Sequence, residues 1–336
     1  MRRKAIMEQP LLFKQFTQNE TYYTGCVIIK ARTFGVAKNN NPYVQLTLMD
    51  KSGTIHAMFW ERSKETFPYQ PGEIVEVKAR VKYRDNIPEL HLDNVEAVPT
   101  TDPRHNFENY LPVPPMDYNQ MVEEIKYYVA NIQHPVYHQL AQTFIQKSIN
   151  GNDLTNMPAS KQSHHAYYRG LLYHTVRTLR HAVYLLNIYD PTLVDSDLLI
   201  TGALIHDLGK IASLTGFIET EYTLTGQLIG NTNIVDGWIV DFAKANNYDV
   251  NDDTFALLRH MILSQHNSGV RPVIIEAEML SQVKIIDERI TQFEDELRDI
   301  PSNSLSENIF PLNYRPIYNH KQPIPQVQPN ERKIPA

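Results

Sequence analysis

Leu204-Ile205-His206-Asp207-Leu208-Gly209-Lys210 closes an apolar run that begins at Leu198. The run predicts a helix buried all round, and Gly209 stands where a helix C-terminal cap belongs. Neighbouring helical residues diverge by only about 100°. His206 and Asp207, at the end of that helix, can therefore both lean toward one ion. Imidazole suits a transition metal, while a carboxylate supplies the charge that holds it and can bridge two ions. A lone histidine on an apolar face is usually a satisfied core residue, but an adjacent His-Asp before Leu-Gly-Lys weighs against that reading. His174, one helix earlier, has the spacing to complete a ligand set across a bundle core.

Helical periodicity extends outward from this stretch in both directions. It begins at Asp117, with Met121, Ile125, Tyr128 and Ile132 on one face, then Val136, Leu140 and Phe144 on another. From Leu171 to about Asp299 the pattern is almost wholly helical. Two further stretches carry candidate chemistry, His164-His165-Ala166-Tyr167-Tyr168-Arg169-Gly170-Leu171-Leu172-Tyr173-His174-Thr175 and Leu257-Leu258-Arg259-His260-Met261-Ile262-Leu263-Ser264-Gln265-His266.

Upstream, from about Thr21 to Val98, the period changes to two. Tyr22 to Ala31 is rich in β-branched and aromatic residues, and Val44, Leu46 and Leu48 share one face of the next strand. Lys51-Ser52-Gly53 is a hairpin-type turn into Thr54 to Trp60. Ile74 to Val81 alternates again, and Leu90-His91-Leu92 begins a last short strand. Five short strands in this compass suit a small closed barrel. The chain thus reads as an arm over 1–18, a β module over 19–99, a linker over 100–118, a helical domain over 119–316 and a proline-rich tail over 317–336.

Composition bounds the function. The net charge of −6 over 336 residues argues against coating nucleic acid indiscriminately but allows a local basic groove. The single cysteine, Cys26, excludes a disulfide framework and a cysteine zinc site, and fits a reducing cytoplasm. No apolar run reaches the roughly 18 residues of a membrane span, and Glu8, Gln9, Pro10 and Lys14 interrupt any signal-like segment.

The three helical stretches, with Tyr222-Thr223, Gly226 and Gly230, resemble the YhaM-type 3′-5′ exoribonucleases, which join an N-terminal OB-fold barrel to an α-helical HD domain. The resemblance runs from about residue 20 to residue 318. It implies metal ligands at His174, His206 and Asp207, with His266 as a further ligand or substrate-facing residue. It also implies that His165 and Lys210 lie near the scissile phosphate. The cofactor implied is a divalent metal, Mn²⁺ foremost, and the partner is single-stranded RNA, with DNA open and self-association allowed.

The sequence departs from that family pattern at ligand positions: Asn231 and Gln265 stand where histidines are expected, and Lys284 stands for an aspartate. Amides are poor transition-metal ligands, and an ammonium places a cation where a cation should bind. One reading makes Lys284 a resident cation paired with Asp207 or Asp287, leaving a site with no metal. The other turns Lys284 to solvent and gives its role to Asp287. Two functions follow: a metal-dependent 3′-5′ exoribonuclease of reduced activity, or an inactive protein that only binds single strands. A hydrolase of free nucleotides is disfavoured, since a small substrate needs no attached barrel.

OB-folds bind single strands by stacking bases on aromatics beside a phosphate-tracking groove. Phe34, Tyr43, Phe59, Trp60 and Tyr83 are the candidate aromatics. Lys78, Arg80, Lys82 and Arg84, spaced by two, fall on one strand face. Any half-buried strand would show the same alternation.

Overall fold

The computed structural model describes residues 11–17, 21–151, 153–265 and 269–320. Two compact units emerge, one reaching to Pro114 and taking in 216–220, the other comprising the remaining residues from Pro115 onward.

In the first unit, β1 (Tyr22–Val36), β2 (Pro42–Asp50), β3 (Gly53–Trp60), β4 (Ile74–Arg84) and β5 (Ile87–Ala97) close a barrel in the order β1-β2-β3-β5-β4. The β3–β5 pair is parallel and the others antiparallel. This is the expected OB-fold barrel. Period-two alternation builds it: Val44, Leu46 and Leu48 are fully buried, and so are Val77 and Ala79. The β2–β3 turn is held by Asp50, whose carboxylate accepts from the backbone N–H of Ser52 (2.7 Å) and Gly53 (3.1 Å).

The strands are longer than the sequence pattern indicated. A register shift between Ile29 and Ala31 lets β1 bend and continue to Val36. Strand β5 starts at Ile87 because Asp85 and Asn86, both at positive φ, form a tight hairpin with β4. The glycine that usually marks such a turn is missing there. The stretch read as a linker also folds. Arg104 pairs with Asp102 (2.8 Å) and Glu76 (3.1 Å), and Tyr110 and Leu111 are buried.

The second unit contains α1 (Tyr118–Asn131), α2 (Pro135–Asn150), α3 (Asp153–Asn156), α4 (Gly170–Leu186), α5 (Ser196–Ile205), α6 (Lys210–Ser213), α7 (Leu224–Leu228), α8 (Asn231–Ala245), α9 (Asp253–Leu263) and α10 (Ile275–Asp299). Helix α5 is apolar all round, as read from Leu198 to Ile205, and packs against α2, α4, α9 and α10. Asp195 caps it by accepting from the Leu198 N–H.

Gly209 is not a left-handed cap, since its φ of −59° is ordinary helical backbone. Its reason is space: a Cβ there would lie 2.1 Å from the Asn231 carbonyl oxygen, so glycine lets α8 approach the end of α5. The chain beyond α10 turns back on itself. Ile309, Leu312 and Ile317 pack against Phe293, Leu297 and Ile300, and Ser304–Leu305 pairs with Tyr318–Asn319 as β6 and β7. A strand therefore falls where the tail was expected to begin, while residues 321–336 lie outside the described residues.

Candidate metal centre

Helix α4 carries His174 on its buried face, and α5 ends in His206 and Asp207, so three side chains from two helices meet in the bundle interior. His174 Nε2 lies 3.2 Å from His206 Nε2 and 3.2 Å from Asp207 Oδ2, and the third edge, His206 Nε2 to Asp207 Oδ2, is 3.6 Å. Ligands at about 2.1 Å from one ion stand roughly 3 to 3.4 Å apart; two edges of the triangle fall in that range and the third is slightly longer, so a small adjustment would bring all three atoms onto one ion.

Each imidazole is oriented from behind. His174 Nδ1 donates to Asp287 Oδ2 at 2.7 Å, and His206 Nδ1 donates to the Ala203 carbonyl at 2.9 Å. Both partners only accept, which fixes the proton on Nδ1 and leaves each Nε2 presenting a lone pair. Two lone pairs and a carboxylate oxygen thus converge on one point. The carboxylate oxygen also has the Lys210 ammonium beside it, while the two facing imidazole nitrogens call for a metal ion or an added proton between them. Burial opposes charge on His174, yet hydrogen bonds to Asp207 and Asp287 outweigh it and raise its pKa. Burial dominates at His206, pushing it down to about 3.

Asp287 is a hub of α10. Besides His174 it accepts from His165 Nε2 at 2.9 Å and pairs with Arg177. Burial would raise its pKa, but the hydrogen bonds from His165 and His174 and the nearby charge hold it well below the usual carboxylate range. It is therefore an orienting carboxylate behind the triangle, the common second partner of a metal-bound imidazole. His165 is held there too, with Tyr167 Oη at 2.8 Å from its Nδ1. Its expected place beside a phosphate gives way to a position behind Asp287. His164 differs: its buried Nε2 makes no hydrogen bond among the described residues, with Glu288 Oε1 at 3.7 Å, and its ring centroid lies 5.2 Å from that of His174. The family resemblance singled out His165 of the two adjacent histidines and passed over His164. Arg177 was legible in principle, one turn beyond His174 on the same face.

Lys284 turns inward, not to solvent. Its Nζ donates to Asp207 Oδ1 at 2.9 Å and to Gln265 Oε1 at 2.7 Å. Asn231 Nδ2 donates to the same Oδ1 at 3.1 Å, and Lys210 Nζ pairs with Oδ2. Burial would raise the pKa of Asp207, but Lys210 and Lys284 drive it far down. Gln265 Nε2 donates to the His206 carbonyl at 3.3 Å. His266 lies outside the described residues.

On the barrel, Lys78, Arg80, Lys82 and Arg84 point outward together. Arg80 is engaged by Asp93 at 2.8 Å. Tyr43 and Trp60 pair across β2 and β3 with ring centroids 5.4 Å apart, and His91 of β5 continues the row 6.4 Å beyond Trp60. The Tyr43 ring lies over Gly35, where a Cβ would come within 2.5 Å of it. Phe59 is core, and Phe34 and Tyr83 pack against the core. Tyr43 and Trp60 remain as the outward pair, joined by His91, which the sequence pattern did not single out.

A family model for the HD domain matches residues 171–298, and one for an OB-fold nucleic acid binding domain matches residues 27–98. The chain is 30% identical over 316 residues to a 3′-5′ exoribonuclease YhaM of Shouchella clausii (strain KSM-K16), covering 89% of this chain and 95% of that one. It is 29% identical over 299 residues to the 3′-5′ exoribonuclease YhaM of Bacillus subtilis (strain 168), covering 87% and 93%. Among solved structures, the second OB-fold domain of replication protein A from Methanococcus maripaludis is similar at 22% identity and a TM-score of 0.23, covering 26% of this chain and 93% of that one.

Proposed function

The chain belongs to the YhaM 3′-5′ exoribonuclease family, and from that premise we propose that it is a metal-dependent nuclease of the HD superfamily that shortens single-stranded RNA from its 3′ end. The observation that carries this reading is the triangle of His174 Nε2, His206 Nε2 and Asp207 Oδ2, three lone-pair donors at metal-ligand spacing with the two imidazoles tied from behind. Those three residues would hold one divalent ion, Mn²⁺ being our first choice. When bound, the ion supplies Lewis acidity at a phosphodiester and neutralises charge on the phosphoryl oxygens.

The remaining work falls to the protein. Asp287 and the Ala203 carbonyl hold the Nδ1 proton of each imidazole and so aim Nε2 at the centre. Lys210 Nζ, now on Asp207 Oδ2, would share or release that oxygen and turn to a phosphate. His164 Nε2, which makes no hydrogen bond among the described residues and has Glu288 at 3.7 Å, would assist beside it. On the barrel, Tyr43, Trp60 and His91 would stack bases while Lys78, Lys82 and Arg84 track phosphates. A single-cysteine chain with no described helix long and apolar enough to cross a membrane suits the cytoplasm.

One observation favours a second reading, a protein that binds single strands without cutting them: Asp207 already carries two ammonium groups, Lys210 and Lys284. RNA labelled at its 5′ end, incubated with the protein and Mn²⁺, separates the two. A ladder of shortened products is the expected result. RNA that is retarded yet stays intact would reject cleavage and leave the binder.

A further inference from the structure

Resting on the metal centre proposed above, we infer that Lys284 occupies, with its own ammonium, the place a second metal ion would take, so that the site holds at most one ion. The two oxygens of Asp207 keep different company. Oδ2 faces the imidazole pair, while Oδ1 accepts from Lys284 at 2.9 Å and from Asn231 at 3.1 Å. A carboxylate of this kind can bridge two cations. Here Oδ2 meets both imidazoles and the Lys210 ammonium, while Oδ1 meets only chain donors, Lys284 and Asn231.

Lys284 is not a surface side chain that happens to reach in. It is 14% exposed and sits three residues before Asp287 on α10. Residues three apart share a helix face, so the register that anchors Asp287 to His165, His174 and Arg177 also delivers Lys284 to Asp207. The surrounding donors are committed as well. Gln265 spends its oxygen on the ammonium at 2.7 Å and its amide hydrogens on the His206 carbonyl. Asn231 turns its amide hydrogens toward Oδ1. The Gln265 oxygen is thus already taken by the ammonium, and Asn231 presents hydrogens, not its oxygen, to Oδ1. A divalent cation at Oδ1 would also stand against the Lys284 charge, with Lys210 on the other oxygen of the same carboxylate.

The test uses the full chain, stripped with chelator and titrated with Mn²⁺, reading bound equivalents and the paramagnetic resonance spectrum. Wild-type protein is expected to bind no more than one Mn²⁺, with the six-line signal of an isolated ion. An exchange-coupled pair in wild type would overturn the inference without help from any variant. Two variants then isolate the lysine. Asn231→His with Gln265→His, keeping Lys284, should stay at the wild-type count, whereas adding Lys284→Asp should gain one equivalent and a coupled spectrum. A gain already present in the double variant, or none in a folded triple variant, would refute the role of Lys284. The wild-type count by itself tests the metal-centre reading: zero bound Mn²⁺ would sink that reading, while the difference between the variants would still decide the lysine.

Discussion

At the scale of the residue, the centre shows how much a side chain's role depends on what stands behind it. His165 and His164 are adjacent and both buried, yet the first is hydrogen-bonded at both ring nitrogens, to Asp287 and Tyr167, and the second only at Nδ1, to Ser163. Alternation of the chain through a turn separates them, with His165 itself at a φ of 45°. Asp287 is the residue on which orientation rests, and it predicts a measurable consequence. Asp287→Asn replaces an obligate acceptor by an amide that can turn its hydrogens toward His174, so the imidazole loses its fixed tautomer. Mn²⁺ affinity measured by calorimetry should fall about 10- to 100-fold, the usual effect of losing such a partner. Unchanged affinity would show that Asp287 only braces the fold.

At the scale of the element, three helices assemble the site and one contact sets their spacing. α5 brings His206 and Asp207 to its C-terminal end, α4 contributes His174, and α10 contributes Asp287 and Lys284. The N-terminus of α8 adds Asn231 only because Gly209 carries no side chain. The backbone at Gly209 is ordinary, so Gly209→Ala introduces no torsional strain and acts through steric overlap alone. Overpacking of this kind costs about 1–3 kcal/mol. Thermal or urea unfolding of Gly209→Ala should read a loss in that range, and Gly237→Ala, with open space around it, should not. Equal stability of the two would remove the close approach as the reason for glycine. The apolar run Leu198–Ile205 and the ligands at its end were legible because helix burial and the His-Asp pair lie within one local segment. Gly209 was misread because the contact that requires it comes from α8, more than twenty positions further along the chain.

At the scale of the whole molecule, the proposed function divides binding and chemistry between the two units, so each should be open to disabling alone. Trp60→Ala should weaken affinity for single-stranded RNA by about 1–3 kcal/mol per stacked base and leave bound Mn²⁺ unchanged. His174→Ala should do the opposite, removing the metal while RNA affinity, read by fluorescence anisotropy in chelator, is kept. Loss of both properties in either variant would contradict the division. Residue order alone was enough for the barrel, the bundle and the candidacy of His174, His206 and Asp207, because periodicity and short motifs are local and survive without three-dimensional knowledge. Three-dimensional packing fixed the rest: which carboxylate oxygen meets which cation, which of two adjacent histidines binds Asp287, and that Lys284 turns inward to Asp207. Those outcomes depend on helix register across the bundle and on competition among buried partners, which distances along the chain do not encode.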